Sequence, residues 1–211
     1  MKKQEALEIL VKVGAIIRNS HIVYTHGNHG RDYVNKDALY PHTEETSNLC
    51  YDLAEEYSEH SIEAVIAPAI GGVILSQWIA HFLTVMGRNH HVLAVYAEKA
   101  EDGSFVIKRG YDKLIANKRI LVVEDVLTTG GSVKKLVEVT RALGGNIVGL
   151  GAICNRGGVT SVDVGNVPKL FALVNLKLED WPEADCPLCK EGIPINTDVG
   201  KGREFLARKQ A

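Results

Sequence analysis

The chain lacks any long apolar run. Its most apolar window, Ile62 to Met86, is interrupted by Glu63, Pro68, Gly71, Gly72, Gln77 and His81, which rules that window out as a membrane span. A surplus of positive charge is missing too. Twenty-four Lys and Arg stand against 26 Asp and Glu, for a net charge of −2, so there is no electrostatic case for nucleic acid or an anionic membrane as the main partner. The opening MKKQEALEIL has neither the apolar core nor the small-residue cleavage site of a secretory signal. Four cysteines in 211 residues are too few for a disulfide scaffold, and a reducing cytoplasm is the expectation. Internal repeats, low-complexity tracts and a Walker A pattern are all absent, and Gly149-Leu150-Gly151 lacks the third glycine of a dinucleotide fingerprint.

What is present is an alternation of patterns. Leu7, Leu10, Val11, Gly14 and Ile17 share a helical face over residues 3–18, and Leu49, Leu53 and Tyr57 share another over 44–60. Short apolar runs follow at IEAVIA (62–67), HVLAVYA (91–97), ILVV (120–123), NIVGLGAI (146–153) and KLFALVNL (169–176). Helical spacing returns at Val73–Val85 and Val133–Thr140. Strands alternating with helices predict an α/β fold with a doubly wound, mostly parallel sheet. One domain is expected over residues 1–211, its core at about 60–176 and a small hood built from 1–59 and 177–211. Ligands of such sheets sit at the carboxyl ends of the strands. PAIGG and EDVLTTGGS both fall at such ends.

ILVVEDVLTTGGS ends an apolar strand on Glu124-Asp125 and follows it with three hydroxyls and two glycines. An unpaired buried carboxylate costs several kcal/mol, so the acids are expected to emerge at the open end of the strand, where the chain turns. Loop amides and hydroxyls leading into a helix N-terminus favour phosphate, and glycines let the backbone come close. Carboxylates repel phosphate, so their targets are hydroxyls one sugar away, or a metal ion. A ribose 5-phosphate moiety satisfies both halves. An acid pair in a solvated surface turn is the plainer reading of the pair alone.

VVEDVLTTGGS resembles the phosphoribosyl-pyrophosphate signature of type I phosphoribosyltransferases, and the order of the other segments most resembles the orotate phosphoribosyltransferases. The resemblance implies transfer of ribose 5-phosphate from phosphoribosyl pyrophosphate to a nucleobase, most readily orotate, with Mg²⁺. A purine-specific transferase and a non-catalytic sensor of the donor are the alternatives. Under the resemblance, Glu124 and Asp125 hold the ribose hydroxyls, with Val126 and Leu127 alongside. Thr128, Thr129, Gly130, Gly131 and Ser132 hold the 5′-phosphate, and Ala69, Ile70, Gly71 and Gly72 form the pyrophosphate loop.

Residues 97–113 lie where the family carries a mobile catalytic loop. Lys99 matches a lysine at the pyrophosphate end, Lys108 or Arg109 assisting, while the family's usual lysine-x-histidine pair is missing. Arg156 matches an arginine that reads the pyrimidine; a guanidinium fork suits a carbonyl or carboxylate on a flat ring. The loop THGNHGRDYVNKDAL takes the place of a base-binding loop, with Tyr33 to stack and Asn35 and Lys36 as donors; His26 replaces the usual lysine. The family usually pairs, and the N-terminal helix and tail suit a homodimer interface.

No metal-ligating set is assigned. His26, His29 and Asp32 match no familiar zinc spacing, and Cys186-Pro187-Leu188-Cys189 is a lone C-x-x-C whose remaining thiols, Cys50 and Cys154, lie on apolar faces. A buried structural turn is the preferred reading of that motif, with four thiolates meeting across a dimer as the other.

Overall fold

The structure, a computed structural model, describes residues 3–87 and 91–210. Helix α1 (Lys3–Lys12) opens the chain. It stops short of the expected 3–18, because Gly14 takes φ +73° and the chain passes straight into strand β1 (Ile16–Ile17). Three more short strands follow, β2 (Ile22–Val23), β3 (His29–Gly30) and β4 (Tyr33–Val34). Helix α2 (Thr43–Tyr57) leads to β5 (Ala64–Pro68) and α3 (Gly71–Met86). Strands β6 (Leu93–Lys99) and β7 (Phe105–Val106) form a hairpin, then α4 (Tyr111–Ile115), β8 (Arg119–Leu127), α5 (Gly131–Ala142), β9 (Asn146–Asn155) and β10 (Leu170–Asn175). The tail carries β11 (Asp180–Trp181), α6 (Pro187–Lys190) and α7 (Gly202–Gln210).

These elements fall into two compact units. The first comprises residues 1–7 and 42–176, the second 8–41 and 177–211. Residues 42–59, grouped with the hood on sequence, therefore belong to the first unit, α2 included.

The first unit is built on a six-stranded sheet in the order β10-β9-β8-β5-β6-β7. All its pairings are parallel except β6 with β7. Ile120 and Val122 of β8 share a buried cluster with Ile66, Leu150 and the α5 residues Val133, Leu136 and Val137. Leu121 and Val123 alternate with them and are equally buried, as expected for a central strand covered on both faces. Tyr57, at the end of α2, is fully buried, and its hydroxyl donates to the Leu150 carbonyl at 2.7 Å. The doubly wound, mostly parallel sheet expected from the alternating pattern is the one observed.

The second unit holds two small antiparallel sheets. Strand β1 pairs with β4, and β3 lies between β2 and β11. Its chain segments come from both ends of the sequence. The Asp180–Gly30 and Trp181–His29 pairs join them, as do backbone bonds from Asn196 to His21 and from Lys201 to Val23, each 2.8 Å.

Candidate active site

In the first unit, β5 and β8 are adjacent parallel strands, so the loops that leave their carboxyl ends are neighbours. Strand β5 ends at Pro68, the Ala69-Ile70 peptide is cis, and α3 starts at Gly71. Ile70 is 88% exposed. A side chain at Gly72 would come within 2.7 Å of the Ala67 methyl, so glycine lets the helix start close against the strand. Strand β8 leads in the same way through Thr128 and Thr129 into α5 at Gly131, with Gly130 at φ +77°. A side chain at Gly130 would meet Val164 at 2.9 Å and Val159 at 3.0 Å. Sequence and fold thus set two helix N-termini, each a cluster of amide donors with a positive dipole end, at one edge of one sheet.

The acids behave differently from the expectation. Strand β8 does not end at Val123. It runs on through Leu127, with Glu124 opposite Ala152 and Leu127 opposite Asn155. Glu124 and Asp125 are buried, at 9% and 5% exposure, and the chain turns only after them. Two features make this tolerable. Pairing of β8 with β5 stops at Val122, so the acidic stretch is laddered on its β9 side only. The carboxylates also accept backbone amides: Glu124 Oε1 from Asp125 at 3.0 Å and Asp125 Oδ1 from Val126 at 2.7 Å. Such bonds offset part of the desolvation.

Arg156 follows β9. Its backbone N–H and that of Gly157 donate to the Leu127 carbonyl at 2.9 and 3.3 Å, and its Nε donates to the Thr128 hydroxyl at 3.0 Å. The candidate base-reading arginine and the candidate phosphate loop are therefore one connected structure. Gly157 makes this contact possible, since a side chain there would fall 1.5 Å from the Thr128 carbonyl oxygen. Asn155 braces the loop beneath, its buried amide donating to the Val159 carbonyl at 2.8 Å and its oxygen accepting from the Val159 N–H at 3.0 Å. Burial pushes the neighbouring Cys154 thiol up to about 12, the Arg156 charge opposing the shift, so this cysteine is no nucleophile at neutral pH. Sequence reasoning missed the Gly157 and Asn155 roles; the Gly157-Gly158 pair was the one signal available.

The segment 97–113 holds the end of β6, a short hairpin to β7 and the start of α4. Glu98 pairs with Val106 and Lys99 with Phe105 across β6 and β7. Phe105 and Ile107 are buried while Val106 and Lys108 are exposed, the period of a half-buried strand. Lys99 is exposed at the strand end. Lys108 and Arg109 both pair with Glu98, at 3.5 Å and 3.0 Å. The Arg109 hydrogen bond holds the Glu98 carboxyl below its ordinary range. Lys135 of α5 donates to the Gly103 carbonyl at the hairpin tip, at 3.0 Å.

Tyr33, Asn35 and Lys36 belong to the second unit. Tyr33 lies in β4 opposite Ile17, partly buried. The Asn35 backbone N–H donates to the Ala15 carbonyl at 2.8 Å, and Lys36 begins a 3₁₀ turn, Lys36–Ala38. His26 is taken by Asp180 at 3.0 Å, and Asp32 accepts the Asn19 amide at 3.2 Å, so neither joins His29 in a ligand set.

A strand–acid pair–hydroxyl loop–helix unit thus stands beside a second glycine-started helix at the carboxyl edge of one parallel sheet. The family model described as phosphoribosyl transferase domain matches residues 40–184, and the chain belongs to that family. Within it, the chain is 37% identical over 195 residues to an orotate phosphoribosyltransferase of Caldanaerobacter subterraneus subsp. tengcongensis, covering 92% of this chain and 96% of that protein. Among solved structures, the orotate phosphoribosyltransferase of Aeropyrum pernix aligns with a TM-score of 0.62 at 23% identity, over 81% of this chain and 93% of that one. The Mycobacterium tuberculosis orotate phosphoribosyltransferase in complex with 5-phospho-α-D-ribosyl 1-diphosphate aligns at 0.60 and 18% identity, over 82% and 96%. These structural likenesses carry the fold alone.

Proposed function

We propose that this protein is a glycosyltransferase that moves ribose 5-phosphate from phosphoribosyl pyrophosphate to orotate, giving orotidine 5′-monophosphate and pyrophosphate in pyrimidine nucleotide biosynthesis. The observation that carries the reading is the β8–α5 connection, Glu124 to Ser132, standing beside the Ala69–Gly72 loop. The orotate assignment is supported by the near full-length relative at 37% identity.

In this reading the amides and hydroxyls of residues 128–132 hold the 5′-phosphate at the N-terminus of α5, and the 69–72 amides at the start of α3 face the pyrophosphate. Glu124 and Asp125 hold the ribose 2′- and 3′-hydroxyls. A ring nitrogen of the base, its proton given up to solvent, forms a bond to C1′ as the bond to the pyrophosphate oxygen breaks, with positive charge building on the ribose. The two carboxylates favour that charge, and Lys99 faces the departing anion. Arg156 takes the base from the β9 side.

The donor set suits Mg²⁺ carried in on the donor's phosphate oxygens. Among the described residues, no group of three or more carboxylates gathers as a protein cage, and Mg²⁺ typically takes only one or two protein carboxylates beside phosphate and water. Glu124 and Asp125 are the carboxylates that would hold the ion or its waters, and the chemistry it would supply is charge neutralisation of the leaving group.

The test is pyrophosphate release from purified protein with donor, Mg²⁺ and a panel of nucleobases. Release with orotate and not with purines is expected. Release with purines alone overturns the base assignment, and donor binding without release with any base overturns the enzyme. The same reading takes the working form as a cytoplasmic homodimer, and sedimentation as a monomer at micromolar concentration would reject the dimer.

A further inference from the structure

The C-x-x-C motif of the tail has partners that thiol counting alone does not reveal. His21, His29, Cys186 and Cys189 each present one ligand atom, and the four atoms lie within 4.8 Å of one another. His21 Nε2 is 2.9 Å from His29 Nδ1 and 3.7 Å from each of the Cys186 and Cys189 sulfurs, while Cys189 Sγ is 3.4 Å from His29 Nδ1. A tetrahedral zinc ion with ordinary Zn–N and Zn–S bonds has ligand–ligand edges of roughly 3.3–3.8 Å. Three of the sulfur–nitrogen separations match those edges; the two imidazoles need to part by about 0.4 Å, and the widest pair, within 4.8 Å, needs to close by about 1 Å.

Two further observations point to a metal rather than to a chance cluster. The His21 Nδ1–H donates to the Ile193 carbonyl at 2.7 Å, which leaves the Nε2 lone pair facing the cluster. An outer hydrogen bond of this kind fixes the tautomer of ligating histidines. His21, His29 and Cys186 are all at 1% exposure or less, so polar atoms are concentrated where water does not reach. Cys186 is too buried to serve as the attacking thiolate of a redox pair. A two-iron cluster would put the thiolates and imidazoles on separate irons, whereas here a thiol touches both imidazoles.

We propose that His21, His29, Cys186 and Cys189 bind one Zn²⁺ in a closed tetrahedral site whose role is structural. The site would tie the β2–β3 hairpin to α6 and the residue before it, joining segments more than 150 residues apart in sequence. The need is physical: the second unit draws only about 70 residues from two distant stretches, a size at which a small core commonly requires a metal or disulfide staple. With four protein ligands the ion has no open position for substrate, so the proposal stands independently of the transferase reading.

The experiment uses the full chain. Metal analysis of the purified protein is expected to return about one zinc per chain, released by a strong chelator with a fall in melting temperature of roughly 10 °C or more. Refilling the stripped protein with Co²⁺ is expected to give the intense visible bands of tetrahedral cobalt together with thiolate charge transfer, saturating at one equivalent. Cys189→Ala removes the least buried ligand, so the chain should still fold but lose the charge-transfer intensity and at least ~10-fold in zinc affinity. His26→Ala, a neighbouring histidine outside the cluster, should change neither. Iron in place of zinc, a Cys186–Cys189 disulfide in the freshly isolated protein, or Co²⁺ spectra without thiolate bands would each overturn the proposal. Retention of orotate transfer by zinc-free Cys189→Ala is expected and bears only on the transferase reading.

Discussion

Arg156 and Thr128 are linked by a 3.0 Å hydrogen bond from guanidinium Nε to hydroxyl oxygen, across loops that leave two adjacent strands. Under the proposed function, occupying one side of the site is expected to order a group on the other. Thr128→Val removes the acceptor and is expected to raise the KM of both phosphoribosyl pyrophosphate and orotate, by ~10-fold or more. Arg156→Lys keeps the charge but loses the planar fork, and should raise the orotate KM by ~10- to 100-fold with a smaller effect on the donor. Steady-state kinetics with each substrate varied in turn decides the matter; an unaltered orotate KM in Arg156→Lys removes the residue from base recognition.

Asp125→Asn and Lys99→Ala are each expected to lower turnover at least ~100-fold, the scale of losing about 2.7–4 kcal/mol of preorganised electrostatic stabilisation. The melting temperature of Lys99→Ala should match the parent, since the residue is exposed at the end of β6. Turnover within a few-fold of the parent would exclude the altered residue from the reaction.

Gly157→Ala should be costly although the position is exposed. The new methyl meets the Thr128 carbonyl oxygen, which is backbone and cannot rotate away. A loss of ~1–3 kcal/mol of stability is expected, as for other forced overpacking, with a parallel loss of phosphoribosyl pyrophosphate binding. Denaturant titration beside a donor-binding isotherm measures both; a stable variant with intact donor binding would show that the two loops move independently.

Glu98 ties the 98–109 hairpin through Arg109 and Lys108. Its carboxyl ionises more readily folded than unfolded, so its contribution is present above the ordinary glutamate range and disappears as pH falls through the depressed folded value. Glu98→Gln should therefore loosen the hairpin at pH 7 in low salt. The difference from the parent should shrink in high salt, because the pair is exposed, and vanish in strong acid. Hydrogen exchange of the β7 amides at several pH values reads this directly.

Legibility in the sequence followed local regularity. Strands β5, β8, β9 and β10 and helices α3 and α5 each carry enough uniform period to be read, and the two glycine-started helices marked the site. Glu124 and Asp125 were misplaced because burial was judged residue by residue: the cost of a carboxylate was visible, but not the amides that accompany it nor the early divergence of β5. Helix α1 was overextended because Ile17 fits a helical face equally well as it fits a strand, and only its pairing with Tyr33 decides. The Cys186 motif was visible, yet its imidazole neighbours lie more than 150 residues upstream, and no local pattern encodes a meeting at that range.

Strand β3 is flanked on one side by β2, its immediate predecessor, and on the other by β11, from the far end of the chain. During synthesis the ribosome releases β2 and β3 early, while the strand that covers their open edge emerges only after the whole of the first unit has been made. The amino-terminal ribbon must therefore wait with one unsatisfied hydrogen-bonding edge, and chains cut short near residue 176 would keep the six-stranded sheet while leaving that ribbon available for mispairing with another nascent chain.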